Sequence, residues 1–157
     1  MPALADTTVL NNFAQIRRSD LLRSAYPDLA APIPVWKELE VGVRRRLVPA
    51  CDWSWLSILV LTEREQARAE EIGRQLGAGE AACIAVAASR GWLLLSDDWG
   101  ARELARSLGL EVSGSLGVLD RLIAKQVLTL EEADAHLAGM VRRGFRSPFR
   151  SLREMSR

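Results

Sequence analysis

The sequence predicts an α/β domain in which helices cover both faces of a mainly parallel sheet. Its length of 157 residues corresponds to one domain that can bury a single continuous core. Hydrophobic residues make up 48% of the chain and charged residues 26%, which are ordinary values for a globular protein. Short apolar runs also alternate with segments of helical periodicity along the whole chain, and this alternation is typical of a parallel sheet with crossover helices.

The first half of the chain predicts three strands and four helices. The strands are the apolar runs 2–5, 29–33 and 55–61. The first three helices are 9–16, 19–25 and a segment that starts at Pro34 and continues to about Arg44. Thr62 and Glu65 form a capping box, which predicts a fourth helix from there to about Leu76.

The second half predicts two further strands and a series of helices. The strands are 92–95 and 111–113. The helices are 80–89, one that follows Asp97-Asp98 and ends at Gly109, and 116–125. A second capping box at Thr129 and Glu132 opens another helix that stops at Gly144, and Ser147-Pro148 can start a short terminal one.

Composition excludes several classes of site. Cys51 and Cys83 are 32 positions apart, and His136 is the only histidine, so a Cys/His zinc site, a His-based triad and a disulfide framework are excluded. The formal net charge is +1, so any nucleic-acid surface must come from local clustering of Lys and Arg. No segment is typical of a signal peptide or a membrane span, and we therefore expect a soluble, cytoplasmic protein without membrane contact.

Several carboxylates stand at positions where chemistry is expected. Asp6 ends the first strand, and Asp97-Asp98 end the strand 92–95. Ligands of parallel sheets bind outside the carboxyl ends of the strands, so these aspartates are expected at one edge. Glu80 opens a helix that is otherwise apolar on all sides, and Glu38 lies in the first turns of the helix after Pro34, so both glutamates can point to the same edge.

Crowded carboxylates repel one another unless a cation intervenes, and Mg²⁺ or Mn²⁺ is the matching hard, oxygen-liking ion. Each residue also has a structural interpretation. One member of the Asp97-Asp98 pair is expected to cap the next helix and the other to be functional, with Asp98 favoured for function. Glu80 can simply complement its helix dipole, and Glu38, like its neighbour Glu40, can be a solvated helix residue.

Four acidic segments in this order resemble the PIN-domain family, in its branch of short prokaryotic proteins similar to the VapC toxins. They are residues 6–10 continuing to 19–22, Pro34-Val35 with Glu38-Leu39, residues 76–87, and residues 94–98 with Ala101-Arg102. Residues 109–119 and Gly144-Phe145-Arg146 are similar to the strand, helix and tail that follow in that family.

The resemblance implies a three-layer α/β/α sandwich with a central parallel sheet and an endoribonuclease that depends on Mg²⁺ or Mn²⁺. By position, Asp6, Glu38, Glu80 and Asp98 would be catalytic and surround the metal, with Asp97 as the alternative final acid. Thr8 matches a small hydroxyl residue that could hold a water on the metal, and Ser96 matches a hydroxyl position before the last acid. RNA as substrate, a cognate antitoxin protein and a homodimer are implied by the family as well.

Basic residues cluster at the end of the chain, where residues 146–157 are expected to form a basic helix or tail after a nuclease domain of residues 1–145. Arg150, Arg153 and Arg157 are spaced to share one helical face that could bind phosphates. Arg102 and Arg146 complete the predicted RNA-binding set, with the alternative that the tail is a solvated terminus. Trp99 could stack a base, although a Trp there more often packs against the sheet.

Two rival functions remain from the sequence. The first is a PIN-fold module with negligible catalysis that binds nucleic acid or a partner protein. The second is a phosphatase of the haloacid-dehalogenase type, since Asp6 ends a first strand and Asp97-Asp98 a late one. This last option ranks lowest, because Asp6-Thr7-Thr8 lacks a second Asp two residues on and no catalytic Lys motif is evident.

Overall fold

A computed structural model describes residues 2–155 and has five parallel strands in one sheet. The order across the sheet is β3-β2-β1-β4-β5, and every neighbouring pair is parallel. The strands are β1 (Ala3–Ala5), β2 (Ala30–Pro32), β3 (Ser57–Leu59), β4 (Leu93–Leu95) and β5 (Val112–Ser113). The predicted parallel α/β class is confirmed.

Eight α-helices flank the sheet within the described residues. They are α1 (Thr7–Gln15), α2 (Ser19–Ala25), α3 (Ile33–Arg44), α4 (Glu63–Ile72), α5 (Ala78–Arg90), α6 (Trp99–Ser107), α7 (Ser115–Ala124) and α8 (Leu130–Arg142). Leu4 of β1 packs with Val86 and Ala87 of α5. Ala3 and Ala5 belong to a second cluster with Phe13 of α1 and Leu119 of α7, so helices cover both faces of an α/β/α sandwich.

The sheet order places a topological switch point at β1. The chain leaves β1 to form β2 on one side, and later returns to form β4 on the other. Crevices that bind ligands in open α/β sheets lie at such points, outside the carboxyl ends of the strands. Ala5 pairs in register with Leu95, so Asp6 and Ser96 leave the sheet side by side at that edge.

Some predicted boundaries were wrong, and local contacts explain the differences. Helix α1 begins at Thr7, two residues before the predicted start, because Asp6 caps it. Strand β3 is shorter than the predicted run 55–61, because Leu56 N–H donates to Trp53 O and closes a turn just before it. Helix α4 ends at Ile72 with Gly73 as its C-cap, rather than near Leu76.

Helix α5 is buried along nearly its whole length. Its small side chains let it lie close to the sheet and to α4, and its buried residues are Gly79, Ala81, Ala82, Cys83, Ile84, Ala85, Val86 and Ala87. The helix starts at Ala78, so Glu80 lies in its first turn rather than at its first position. The carboxylate of Glu80 is thereby held at the edge of the buried core.

The C-terminal segment differs most from expectation. No α-helix forms at Ser147-Pro148; within the described residues the segment makes only one 3₁₀ turn, Leu152–Glu154. The predicted helical face of Arg150, Arg153 and Arg157 is therefore wrong for the first two residues, and Arg157 lies outside the described residues. Across residues 2–155, no helix combines the length and the apolar character that crossing a bilayer requires.

Candidate active site

Asp6 lies fully buried at the carboxyl end of β1 and caps α1. Its Oδ1 accepts hydrogen bonds from Thr8 N at 3.0 Å and Val9 N at 3.3 Å. Burial raises the pKa of this carboxyl from 3.8 to about 6, even though hydrogen bonds from Ser96, Thr8 and Val9 oppose the shift. The fold thus keeps a carboxylate where its charge is costly, at the edge where ligands are expected.

Two hydroxyl groups connect Asp6 to the end of β4. Thr8 Oγ1 donates to Asp6 Oδ1 at 2.5 Å and accepts from Asp97 N at 2.8 Å. Ser96 Oγ donates to Asp6 Oδ2 at 2.5 Å and accepts from Asp98 N at 3.1 Å. Each hydroxyl therefore links the Asp6 carboxylate to a backbone N–H in the segment that follows β4.

Asp98 and Asp97 have different surroundings. Asp98 caps α6, since its Oδ2 accepts from Ala101 N at 2.8 Å. Asp97 faces α1 and α7: its Oδ1 accepts from Ser115 N at 2.8 Å, and its Oδ2 accepts from Asn12 Nδ2 at 2.8 Å and from the Ser115 hydroxyl. One member of the pair thus caps the next helix as expected, but it is Asp98, the residue favoured for function, while Asp97 binds the start of α7. The functional role of either residue stays a prediction.

Glu38 reaches the site from α3 and ties α1 to α5. Its Oε2 accepts from Thr7 Oγ1 at 2.6 Å, and its Oε1 accepts from Gly79 N at 3.1 Å. A Cβ on Gly79 would come within 2.8 Å of the same carboxylate, so this close approach requires glycine. The side chain of Glu38 is exposed, yet it is held in place at both oxygens.

The pKa of Glu80 shows that these carboxylates lie near one another. Its pKa is raised from 4.5 to about 7, first by burial, then by the charges of Asp98 and Asp6, by a hydrogen bond to Asp98 and by the charge of Glu38. Residues from β1, α3, α5 and the end of β4 therefore act on one another at a single place. We call Asp6, Glu38, Glu80 and Asp98 the acidic site.

Comparison with known protein families shows which family the chain belongs to. A family model described as "PIN domain" matches residues 2–157. The chain belongs to the PIN-domain family. A search of curated proteins finds no significant match. Among solved structures, the chain is similar to VapBC-1 from nontypeable Haemophilus influenzae, with 14% identity over 73% of this chain and 98% of that chain and a TM-score of 0.47.

Members of the PIN-domain family are generally nucleases, and the acidic site stands where such chemistry is expected. Within residues 2–155, no group of three His, Cys, Asp or Glu side chains is already spaced as a metal-ligand cluster. Mg²⁺, however, usually takes one or two carboxylates directly and keeps several waters. Carboxylate oxygens whose burial and neighbouring negative charges raise the pKa of Glu80 fit such an ion by charge and by donor chemistry.

Two of the four predicted RNA-binding arginines within the described residues lie together, and the other two do not. Arg102 and Arg146 line one pocket together with Asp97. Arg153 pairs instead with Glu131 at 3.6 Å, and Arg150 is exposed and does not line that pocket. Trp99 follows Asp98 with 76% of its surface exposed, so it does not pack against the sheet.

Sequence reasoning missed the residues that hold the carboxylates in place. Thr7, Asn12 and Ser115 each donate to an acidic side chain across 18 to 85 positions of the chain. Polar residues are common on helices and at helix starts, so the sequence did not indicate that these three side chains bind carboxylates. Gly79 was a detectable hint, since a glycine next to Glu80 inside a helix must have a packing reason.

Proposed function

We propose that this PIN-domain protein is an endoribonuclease that hydrolyses RNA phosphodiester bonds with the help of Mg²⁺ or Mn²⁺. The convergence of the acidic site carries the proposal: four carboxylates from separate elements meet at the switch point of a parallel sheet. A purely structural role does not require a buried Asp6 and a glutamate whose pKa is raised to about 7 at the same edge.

Asp6, Glu80 and Asp98 would hold the ion, with Asp97 as a further ligand from the neighbouring position. A bound divalent ion supplies charge neutralisation for the phosphate and activates water. Asp6 is preset for this purpose, because Ser96 and Thr8 hold its carboxylate in one orientation. Glu38 fixes the first turn of α5 through Gly79 N, and so orients Glu80 toward Asp98 and Asp6.

The chemistry proposed for the site is an in-line attack of water on the phosphodiester. One carboxylate of the acidic site must accept the proton of that water as the water oxygen bonds to phosphorus and the bond from phosphorus to the leaving oxygen breaks. Arg102 lies next to Asp97 and donates to Ser96 O at 2.8 Å, so its cation stands beside the acidic site, where a phosphate can be neutralised.

RNA cleavage with site variants tests the proposal. Asp6→Asn and Glu80→Gln should each reduce Mn²⁺-dependent cleavage of a single-stranded RNA by about 100-fold or more. Glu40→Gln is the matched control, since Glu40 is exposed on α3 outside the acidic site, and it should cleave normally. Full cleavage by both site variants would show that the assignment is wrong.

We also propose that the protein is the toxin of a toxin–antitoxin pair, kept inactive by a protein partner, and that it forms a homodimer. These proposals rest on the resemblance to the VapC branch. Expression of the intact chain should arrest bacterial growth, and Glu80→Gln should not. Light scattering after size-exclusion chromatography measures the dimer, and a monomeric mass would contradict it.

One observation favours a second function, a PIN-fold module that binds nucleic acid or a partner with little catalysis. The part of the chain described by the structure holds no ready-made cluster of three metal ligands. Calorimetry with Mn²⁺ separates the two functions. Binding that Glu80→Gln weakens supports the nuclease, whereas no binding at millimolar Mn²⁺ supports the module.

A further inference from the structure

A second site lies beside the acidic site, on the side of β5. A pocket of about 280 Å³ opens between the end of β4, the start of α7 and the C-terminal segment. Its lining includes Asp97, Arg102 and Gly114 on one wall and Phe145, Arg146 and Phe149 on the other. Sites for drug-sized ligands typically measure about 300–1,000 Å³, so this pocket suits a ligand with one ring system.

The second wall is held in place by contacts of the C-terminal segment. Ser151 Oγ donates to Asp134 Oδ2 and Leu152 N donates to Asp134 Oδ1, both at 2.7 Å. Leu152 is fully buried and packs against the core. Asp134 on α8 thus fastens the segment, and Phe149 and Arg146 are positioned by folded structure rather than by a loose end.

The first wall is shaped by a close backbone approach. A Cβ on Gly114 would come within 2.9 Å of Arg102 Nη1 and closer still to Asp97 Oδ1. The glycine therefore lets the guanidinium of Arg102 lie against the start of α7. Arg102 Nη1 donates to Ser96 O at 2.8 Å, and the side chain lines the pocket.

The chemistry of this lining is that of a single-stranded nucleotide site. Proteins recognise unpaired bases by stacking them on aromatic rings or guanidinium planes, and they bind the attached phosphates with arginine. Phe145, Phe149, Arg102 and Arg146 supply both groups within one small pocket.

We propose that this pocket binds one unpaired nucleotide of the RNA next to the bond that is cleaved, with its base against Phe149 and its phosphate on Arg102 and Arg146. The proposal rests on the nuclease function proposed above and adds the place where one nucleotide beside the cleaved bond is held. Asp97 joins the two sites, since it lines the pocket and its backbone N–H is bonded to Thr8 next to Asp6. The C-terminal segment is accordingly part of the substrate site.

Binding measured without cleavage tests this pocket separately from the nuclease. The parent is the full chain carrying Glu80→Gln in the presence of a chelator, and the probe is a fluorescently labelled single-stranded RNA about ten nucleotides long. In this parent, Phe149→Leu should weaken binding about tenfold because it keeps apolar volume but removes the stacking ring, and Phe149→Tyr should restore binding. Arg146→Gln should weaken binding and lower the slope of log affinity against log salt by about one.

Arg68→Gln is the matched control, because it removes the same charge from an exposed position on α4 that does not line the pocket. Its affinity should stay within about twofold of the parent. The same RNA annealed to its complement should bind with no dependence on Phe149. The pocket assignment is wrong if Phe149→Leu and Arg146→Gln bind as well as the parent, if Arg68→Gln loses as much affinity as they do, or if the parent does not bind the RNA. The nuclease proposal is tested separately, by the cleavage assay alone.

Discussion

Removing the charge of Glu80 should make the metal-free protein more stable at alkaline pH. The pKa of this carboxyl is about 7 in the folded protein, against 4.5 for an unperturbed glutamate. The folded state therefore binds a proton more tightly than the unfolded state, and the free energy of unfolding falls as pH rises from about 4.5 to 7. In Glu80→Gln this loss is absent, because the side chain is neutral in both states.

The pKa difference sets the size of the effect. It corresponds to at most about 3 kcal/mol above neutral pH. Glu80 is only partly buried, so solvent screening reduces the expected gain to about 1–2 kcal/mol. Near pH 4.5 the variant and the natural protein should be equally stable, because the folded protein then carries a neutral Glu80.

Urea unfolding with a chelator present, at about pH 4.5 and pH 8, measures the effect through the fluorescence of the five tryptophans. Glu40→Gln should show no difference at either pH, since Glu40 is exposed on α3. Added Mn²⁺ should stabilise the natural protein more than Glu80→Gln, because an ion that binds only the folded state adds its binding energy to stability. Equal or lower stability of Glu80→Gln at pH 8 would refute the repulsion described for the acidic site.

Three further outcomes are expected. Buried Glu65 pairs with Arg90 at 2.9 Å, and this contact lowers the pKa of its carboxyl to about 2. The stabilisation of the folded state by the ionised Glu65 is therefore present above pH 4.5 and is lost as pH falls toward 2. Glu65→Gln should lower the free energy of unfolding by about 2–3 kcal/mol at pH 7 in urea unfolding, and a difference that persists at pH 2 would contradict this. Trp99→Ala should weaken binding of single-stranded RNA about fivefold or more in fluorescence anisotropy without changing the urea midpoint, because its ring is exposed beside the acidic site; unchanged affinity would exclude base stacking there. Gly79→Ala should push the Glu38 carboxylate away from the start of α5 and reduce RNA cleavage about tenfold, while circular dichroism shows a folded protein. Normal cleavage by this variant would show that the hydrogen bond from Gly79 N to Glu38 is not needed for activity.

The sheet and the place of the acidic site could be predicted because they follow from local patterns. Asp6 directly follows the apolar strand β1 and Asp98 comes three residues after the apolar strand β4, and the parallel arrangement brings the ends of these strands to one edge. The catalytic and metal-binding roles of these residues stay predictions, which the cleavage and calorimetry experiments test.

The contacts that orient the site depend on tertiary structure and could not be predicted. The bond from Gly79 N to Glu38 spans 41 positions, and the bond from Asn12 to Asp97 spans 85. The tail was misjudged for a similar reason. The spacing of its arginines predicted a helix. In the structure, the Asp134 carboxylate accepts hydrogen bonds from Leu152 N and Ser151 Oγ, and the segment forms a single 3₁₀ turn.

The brevity of the strands has a mechanical consequence. Each strand is only two or three residues long, so the ladder between neighbours contains few hydrogen bonds, whereas α5 runs for 13 residues and is buried along most of them. In native-state hydrogen exchange, the amides of α5 would be protected longest and those of the exposed edge strand β3 would exchange early. Glu80 lies in the first turn of α5, so local opening at the β3 edge is expected to leave the helix that carries it intact.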